Sequence, residues 1–267
     1  MKRSSVAKRQ DLAPVAAALT ILPIAGMPEI VEGDDLGMLI AKAMQRAKLE
    51  LQDADILVVA QKIISKSEGQ VVSLSGVALS TRARELGKRL RKDARLVELI
   101  LRESRRVLRS ERVLIVETHH GFVCANAGVD HSNVPGKNRV ALLPKNPDAS
   151  AQRLVRDLCK RTGKCVAVII SDTFGRPWRL GLTNVAIGVA GVPALLDLRG
   201  QRDRDSKLLQ ATVLAVADEL ASAAGLLMRK SAGIPVVVIR GYRYRPTDAS
   251  GRGAASMIRP AKEDLFR

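Results

Sequence analysis

Three short runs in this chain are almost wholly aliphatic and β-branched. They lie in ADILVVA (Ala54–Ala60), VAVII (Val166–Ile170) and IPVVVIRG (Ile234–Gly241). Each is strand-sized and far short of the roughly 20 residues a membrane-crossing helix needs. A strand without polar alternation is covered on both faces, so these runs belong inside a sheet with helices packed on it. The intervening segments supply helices. In GDDLGMLIAKAMQRAKLEL, Leu36, Leu39, Ile40, Ala43 and Ala47 share one face, and Asp34 or Asp35 can cap it. DARLVELILRESRRVL carries a second stripe of Leu96, Leu99, Ile100 and Val107. NPDASAQRLVRDLCKRTG is opened by Pro147 and stopped by Gly163, and KLLQATVLAVADELASAAGLLM reads as one long helix. VAAALTILPI, RVLIVET, GFVCAN and NVAIGVAG read as further strands, and QKIISKSEGQ as a polar loop. Strands and helices mix without strict alternation, which predicts an α+β fold of mixed sheets with flanking helices.

Residues 1–13 read as a basic flexible tail and 14–267 as one domain, with room for two lobes. The tail and the apolar stretch after it imitate a signal peptide. Pro14 and Pro23 interrupt that stretch, however, and no small-residue cleavage site follows, so the expectation is a cytoplasmic protein. Three cysteines without CxxC spacing fit a reducing compartment and no zinc site. The net charge is +17, and Arg82–Arg112 alone holds twelve Lys and Arg against five Asp and Glu. Such a field suits nucleic acid, small polyanions or a solvated helix face. Aromatic residues make up 2% of the chain, too few for stacking platforms on single strands.

Two polar patches interrupt the apolar pattern: GFVCANAGVDHSNV (Gly121–Val134) and SDTFGRPWR (Ser171–Arg179). Asp130 and Asp172, with Ser132, Asn133 and Thr173 nearby, form a sparse oxygen set. Magnesium or manganese takes such a set together with phosphates; the same aspartates would also serve as ordinary turn residues. Neither a phosphate loop of the GxxxxGK[ST] kind nor GxGxxG is present. Lys62 and Lys66 follow a buried strand, where an ammonium either reaches a phosphate or lies solvated. Arg176 and Arg179 suit an anionic substrate or stack on Trp178. His119, His120 and His131 lack metal-ligand spacing and read as structural, and Cys124 as an inert core residue.

Taken in order, MPEIVEGDDL, VVAQKIISKSEG, ILRES, GFVCANAGVDHSNV, LLPKNPDASA, VAVIISDTFGRPWRLG, VAIGVAG, AVADELA and the terminal DLFR resemble the coenzyme F420-0:L-glutamate ligase (F420:gamma-glutamyl ligase) family. The similarity runs from Leu22 to Arg267, and GVDHSNV and SDTFGRPWR are its most specific pieces. It implies a family-specific α+β fold in an intertwined homodimer. It also implies GTP as co-substrate, magnesium or manganese, and a monovalent cation such as potassium. The implied reaction adds L-glutamate to coenzyme F420-0 through an acyl phosphate, then further glutamates by gamma linkage. Carried onto this chain, Asp130 and Asp172 match metal ligands and catalytic positions, with Thr173 beside a second ion. Met27, Pro28, Glu29, Ile30, Gln61, Lys66 and Asn133 match nucleotide contacts. Lys230 stands where some members place an acidic metal ligand, and Ser206-Lys207 replaces a common Gly-Arg. The expectation is a form without the nitroreductase-like domain fused to some members. A related ligase with another carboxylate acceptor, or a basic nucleic-acid-binding protein, are the competing readings.

Overall fold

The computed structural model describes residues 18–247 and 252–264. The predicted basic tail and the start of the first predicted strand lie outside them. Strand β1 (Thr20–Ile24) leads to α1 (Leu36–Arg46). Asp35 caps this helix by accepting the Met38 N–H, and Leu36, Ile40, Ala43 and Met44 form its buried stripe. Ala47, predicted on that stripe, lies past the helix end and is exposed. Strand β2 (Ile56–Ala60) turns directly into α2 (Gln61–Ser67), where the sequence predicts a loop. The segment is helical because Ile63 and Ile64 turn into the core, and Ser65, also buried, donates to Leu142 O.

A lobe is inserted next. Strand β3 (Val71–Ser73) opens it; α3 (Thr81–Leu90), α4 (Ala94–Arg102), β4 (Ser104–Ser110), β5 (Leu114–Thr118) and β6 (Val123–Ala125) follow, and β7 (Arg139–Ala141) closes it by pairing antiparallel with β3. The single helix predicted through Val107 ends at Arg102. From Ser104 onward the chain pairs with β5, and the buried Glu117 on β5 draws Arg106 across the ladder. Helix α3 escapes a reading by apolar stripe because seven of its ten residues are polar, charged or Gly.

The chain returns through α5 (Pro147–Thr162), capped by Asn146 and ended by the left-handed Gly163 as its sequence predicts. A long hairpin of β8 (Ala167–Arg176) and β9 (Arg179–Ala190) follows, then the ribbon β10 (Leu196–Asp197) and β11 (Val213–Leu214), helix α6 (Val216–Met228) and β12 (Val236–Arg240). Helix α6 is shorter than predicted, because Val213 and Leu214 are spent pairing with β10.

The main sheet has the order β1-β12-β2-β8-β9, with β2 and β8 parallel and the other pairs antiparallel. Its side chains alternate between two cores. Leu57, Val59, Val168, Ile170, Val236 and Val238 face α1 and α5, while Ile56, Val58, Ala167, Ile169, Val237 and Ile239 face α6. Burying each such side chain is worth about 1.5–3 kcal/mol against water, so this register is strongly held. A third core fills the inserted lobe around Val97, Ile100, Leu114 and Val116. The mixed α/β architecture predicted from the sequence is therefore present. No helix among the described residues is long and apolar enough to cross a membrane.

Candidate functional site

Strands β2 and β8 are in register from Ile56 opposite Ala167 to Ala60 opposite Ser171. The carboxyl ends of parallel strands are where open sheets leave room for ligands. Here β2 turns away into α2, which carries Lys62 and Lys66. Strand β8 continues, so Asp172 and Thr173 lie one and two residues beyond its last β2 partner. The sequence also allows Asp172 to be a turn residue; it is in a strand whose neighbour has ended. Just before it the pairing with β9 slips, from Ile170 opposite Gly188 to Ser171 opposite Ala186. That bulge re-aims the side chains at the sheet edge.

Asp130 arrives from the inserted lobe. After β6, Asn126, Ala127 and Gly128 have φ of 53°, 55° and 70°, three consecutive left-handed residues. A Cβ on Gly128 would sit 2.7 Å from the Leu143 side chain, so the position is closed to other residues on space as well as on φ. The reversal buries Val129 and sets Asp130 opposite Ala141, with backbone hydrogen bonds of 3.1 and 2.8 Å. This is what the CANAGVD segment accomplishes: it turns the chain out of the lobe core to present one carboxylate.

Lys62 Nζ donates to Asp130 Oδ2 at 2.8 Å, to Ser132 Oγ at 2.9 Å and to Ser132 O at 2.5 Å. All three ammonium donors are thereby used. Ser132 also donates its N–H and hydroxyl to Asp130, at 2.8 and 2.6 Å. Burial raises the Asp130 pKa, but the bonds from Lys62 and Ser132 outweigh it and hold the carboxyl at about 2. Asp172 differs. Burial pushes it up to about 6; the Thr173 N–H, Lys62 and Lys230 pull it down, and the charge of Asp130 pushes it further up. Two carboxylates that repel each other, one of them desolvated, make an oxygen-rich spot flanked by the Lys62 and Lys230 ammonium groups. That fits a hard divalent cation bound by few carboxylates, with water and phosphate completing its shell. Among the described residues no group of three or more His, Cys, Asp or Glu is gathered, so the protein's own contribution is sparse.

The other predicted residues fall in two places. Glu29, exposed in the Met27–Ile30 loop, pairs with the buried Lys66 on α2, while Ile30 anchors the loop in the core and Pro28 is exposed. Gln61 is buried, its Oε1 2.7 Å from Ser65 Oγ. Asn133 has a φ of 53° and donates to Lys230 O at 3.0 Å, which ties the Asp130 loop to the turn after α6. Thr173 Oγ1 donates to Asn184 Oδ1 at 3.2 Å, and Asn184 in turn reaches Met228 Sδ. Sequence reasoning missed Asn184; a lone amide inside the apolar NVAIGVAG stretch was the available signal.

The second polar patch is divided. Pro177 and Trp178 form the exposed hairpin tip, and Arg176 donates to Leu180 O. Four residues of strand separate Arg176 from Asp172, about 13 Å. Two of the three histidines behave structurally: His119 Nε2 meets Arg102 O at 2.8 Å and His120 Nε2 meets Pro144 O at 2.9 Å, while His131 is exposed. Burial, helped by the Asp172 charge, pushes the Cys124 thiol up to about 12, as befits an inert core cysteine. The KNPDAS motif is architectural, since Asp148 receives the N–H groups of Val189, Ala254 and Ala255.

Residues 25–241 match the family model described as F420-0:Gamma-glutamyl ligase. The chain is 44% identical to the Coenzyme F420:L-glutamate ligase of Methanothermobacter thermautotrophicus, over 93% of this chain and 99% of that one. It is 44% identical to the protein of the same name from Methanocaldococcus jannaschii, over 83% and 88%. It is 43% identical to that of Methanopyrus kandleri, over 93% and 98%.

Proposed function

From the premise that this chain belongs to the F420-0:gamma-glutamyl ligase family, we propose that it joins L-glutamate to the carboxylate of coenzyme F420-0 at the expense of GTP. In the first step a carboxylate oxygen of the acceptor bonds to the γ-phosphorus and GDP leaves. In the second, the glutamate amine attacks the acyl carbon, loses a proton, and inorganic phosphate departs. Repetition at the new γ-carboxylate lengthens the chain.

The observation that carries this reading is the convergence of Asp130, Asp172 and Lys62 where β2 and β8 part, with Lys230 close enough to act on Asp172. Asp130 and Asp172 would hold magnesium or manganese, while the Thr173 hydroxyl is engaged by Asn184. Bound there, the metal would neutralise charge on the phosphoryl group. The chain's own part is positioning. Lys62 fixes the Asp130 loop, the bulge aims Asp172, and Asn184 orients Thr173. The Glu29–Lys66 pair brings the Met27–Ile30 loop to α2, beside which the nucleotide would lie. We infer in addition a homodimer, supported by the apolar hairpin tip of Trp178, Leu180 and Leu182.

Mass spectrometry of products from F420-0, L-glutamate and GTP tests the proposal. Mass increments of single glutamyl units, dependent on GTP and divalent metal, are expected. Equal turnover with ATP at matched concentration counts against the nucleotide assignment, and absence of any glutamyl product counts against the reaction.

A further inference from the structure

The inserted lobe contains a cavity lined by none of the residues of the carboxylate site. It has a volume of about 270 Å3 and lies between α3 and β4, walled by Arg82, Glu85, Leu86, Arg89, Val107 and Ser110. The four α3 residues recur at helical spacing and therefore share one face. Their chemistry is mixed in a specific way: two guanidinium groups, one carboxylate, one hydroxyl and two aliphatic side chains. Arg89 is steadied by the hydroxyl of Ser110, a neutral partner that leaves its charge uncompensated. Among the described residues, neither Arg82, Arg89 nor Glu85 forms an ion pair, although neighbours such as Arg95, Arg102 and Arg106 do.

We propose that this groove binds a free acidic α-amino acid, L-glutamate. That L-glutamate is at hand rests on the ligase reading above; the site itself does not. Free glutamate carries two carboxylates, one ammonium and a short methylene stem. Arg82 and Arg89 supply planar forks for the carboxylates, Glu85 takes the ammonium, and Leu86 and Val107 cover the methylenes. The charges also balance, since the ligand bears a net −1 and the three charged walls a net +1. A plain polyanion meets no such match, because Glu85 repels it. The volume lies just under the ~300–1,000 Å3 of drug-sized ligand pockets, which suits an amino acid better than a nucleotide. The excess of Lys and Arg between Arg82 and Arg112 raises the local concentration of acidic ligands.

Isothermal titration calorimetry on the full chain, without nucleotide or deazaflavin, tests the groove directly. The probes are L-glutamate, γ-L-glutamyl-L-glutamate, glutarate and a short RNA. Saturable binding of glutamate at millimolar concentration or below is expected, with weaker binding of the dipeptide, in which no single residue keeps two free carboxylates and a free amine. Arg82→Ala and Arg89→Ala alter exposed side chains and should each weaken it about tenfold or more. Glu85→Gln should erase the preference for glutamate over glutarate, which lacks the ammonium. Four results overturn the proposal: no binding of glutamate, tighter binding of the dipeptide than of glutamate, binding indifferent to both arginine variants, or RNA binding lost in those variants while glutamate fails to bind. Wild-type ligation is assayed separately, so a chain that ligates glutamate without groove-dependent binding refutes the groove alone.

Discussion

Burial acts on both carboxylates of the site, and their partners then drive them apart, Asp130 to about 2 and Asp172 to about 6. The unfolded value is about 3.9 for each. A folded pKa above it means that Asp172 favours the fold below about pH 4, and that this contribution is lost as pH rises through 6. Asp172→Asn should therefore stabilise the metal-free protein at pH 7 by about 1–2 kcal/mol, a rise of about 2–6 °C in melting temperature, with no gain at pH 4. Asp130 has the opposite sign. Its stabilisation is present above about pH 4 and lost as pH falls through 2, so Asp130→Asn lowers stability at pH 7 by about 1 kcal/mol after solvent screening, about 2–4 °C in melting temperature. Thermal melts at both pH values check the pair; an Asp172→Asn protein that melts below wild type at pH 7 contradicts the account. For ligation the two substitutions should agree. Each should cost on the order of a hundredfold in turnover, with the double variant little worse, measured across magnesium and manganese titrations. Near wild-type turnover in either folded variant rules out a shared site. Asp130 and Asp172 are legible in the sequence because polar residues there border apolar runs. The contact of Lys62 with Asp130 is not, since 68 positions separate them and only the fold closes that distance.

Among the elements, those with their own punctuation are the ones a reader of the sequence finds. Helix α5 declares itself through Asn146, Pro147 and Gly163, and β2, β8 and β12 through uninterrupted aliphatic runs. Helix α2 and strand β4 were missed because tertiary contacts decide them: Ser65 against Leu142 for the one, Arg106 against Glu117 for the other. Two glycines show how much context adds. Gly163 and Gly128 have nearly equal φ, 69° and 70°, yet a Cβ on Gly163 meets nothing within 4 Å while one on Gly128 strikes Leu143. Gly163→Ala should cost about 1 kcal/mol, the left-handed penalty alone. Gly128→Ala should cost about 2–4 kcal/mol and also impair ligation, because Asp130 follows two residues later. Urea unfolding of both variants decides this, and equal losses would show that Leu143 yields freely.

At the scale of the molecule, the α+β class was readable from the mixture of segment types, whereas the inserted lobe was not, because its stem strands are three residues each. The hairpin projects Leu180, 98% exposed, with Trp178 and Leu182 beside it. An apolar tip of this kind is costly in a monomer, so sedimentation velocity should report a dimer and Leu180→Asp a monomer. A wild-type monomer at micromolar concentration would remove the hairpin from the assembly. The lobe itself enters and leaves through one narrow ribbon, β3 against β7. Residues 74–138 can accordingly be exchanged as a cartridge between relatives without cutting a single ladder of the five-stranded sheet. Such a transplant carries its own counterpart of Asp130 with it, while Lys62 and Asp172 stay behind in the host. Donor and host must then match at that salt bridge, at Asn133 against Lys230 and at His120 against Pro144, so descent can reshuffle what the lobe recognises only where it preserves these grips.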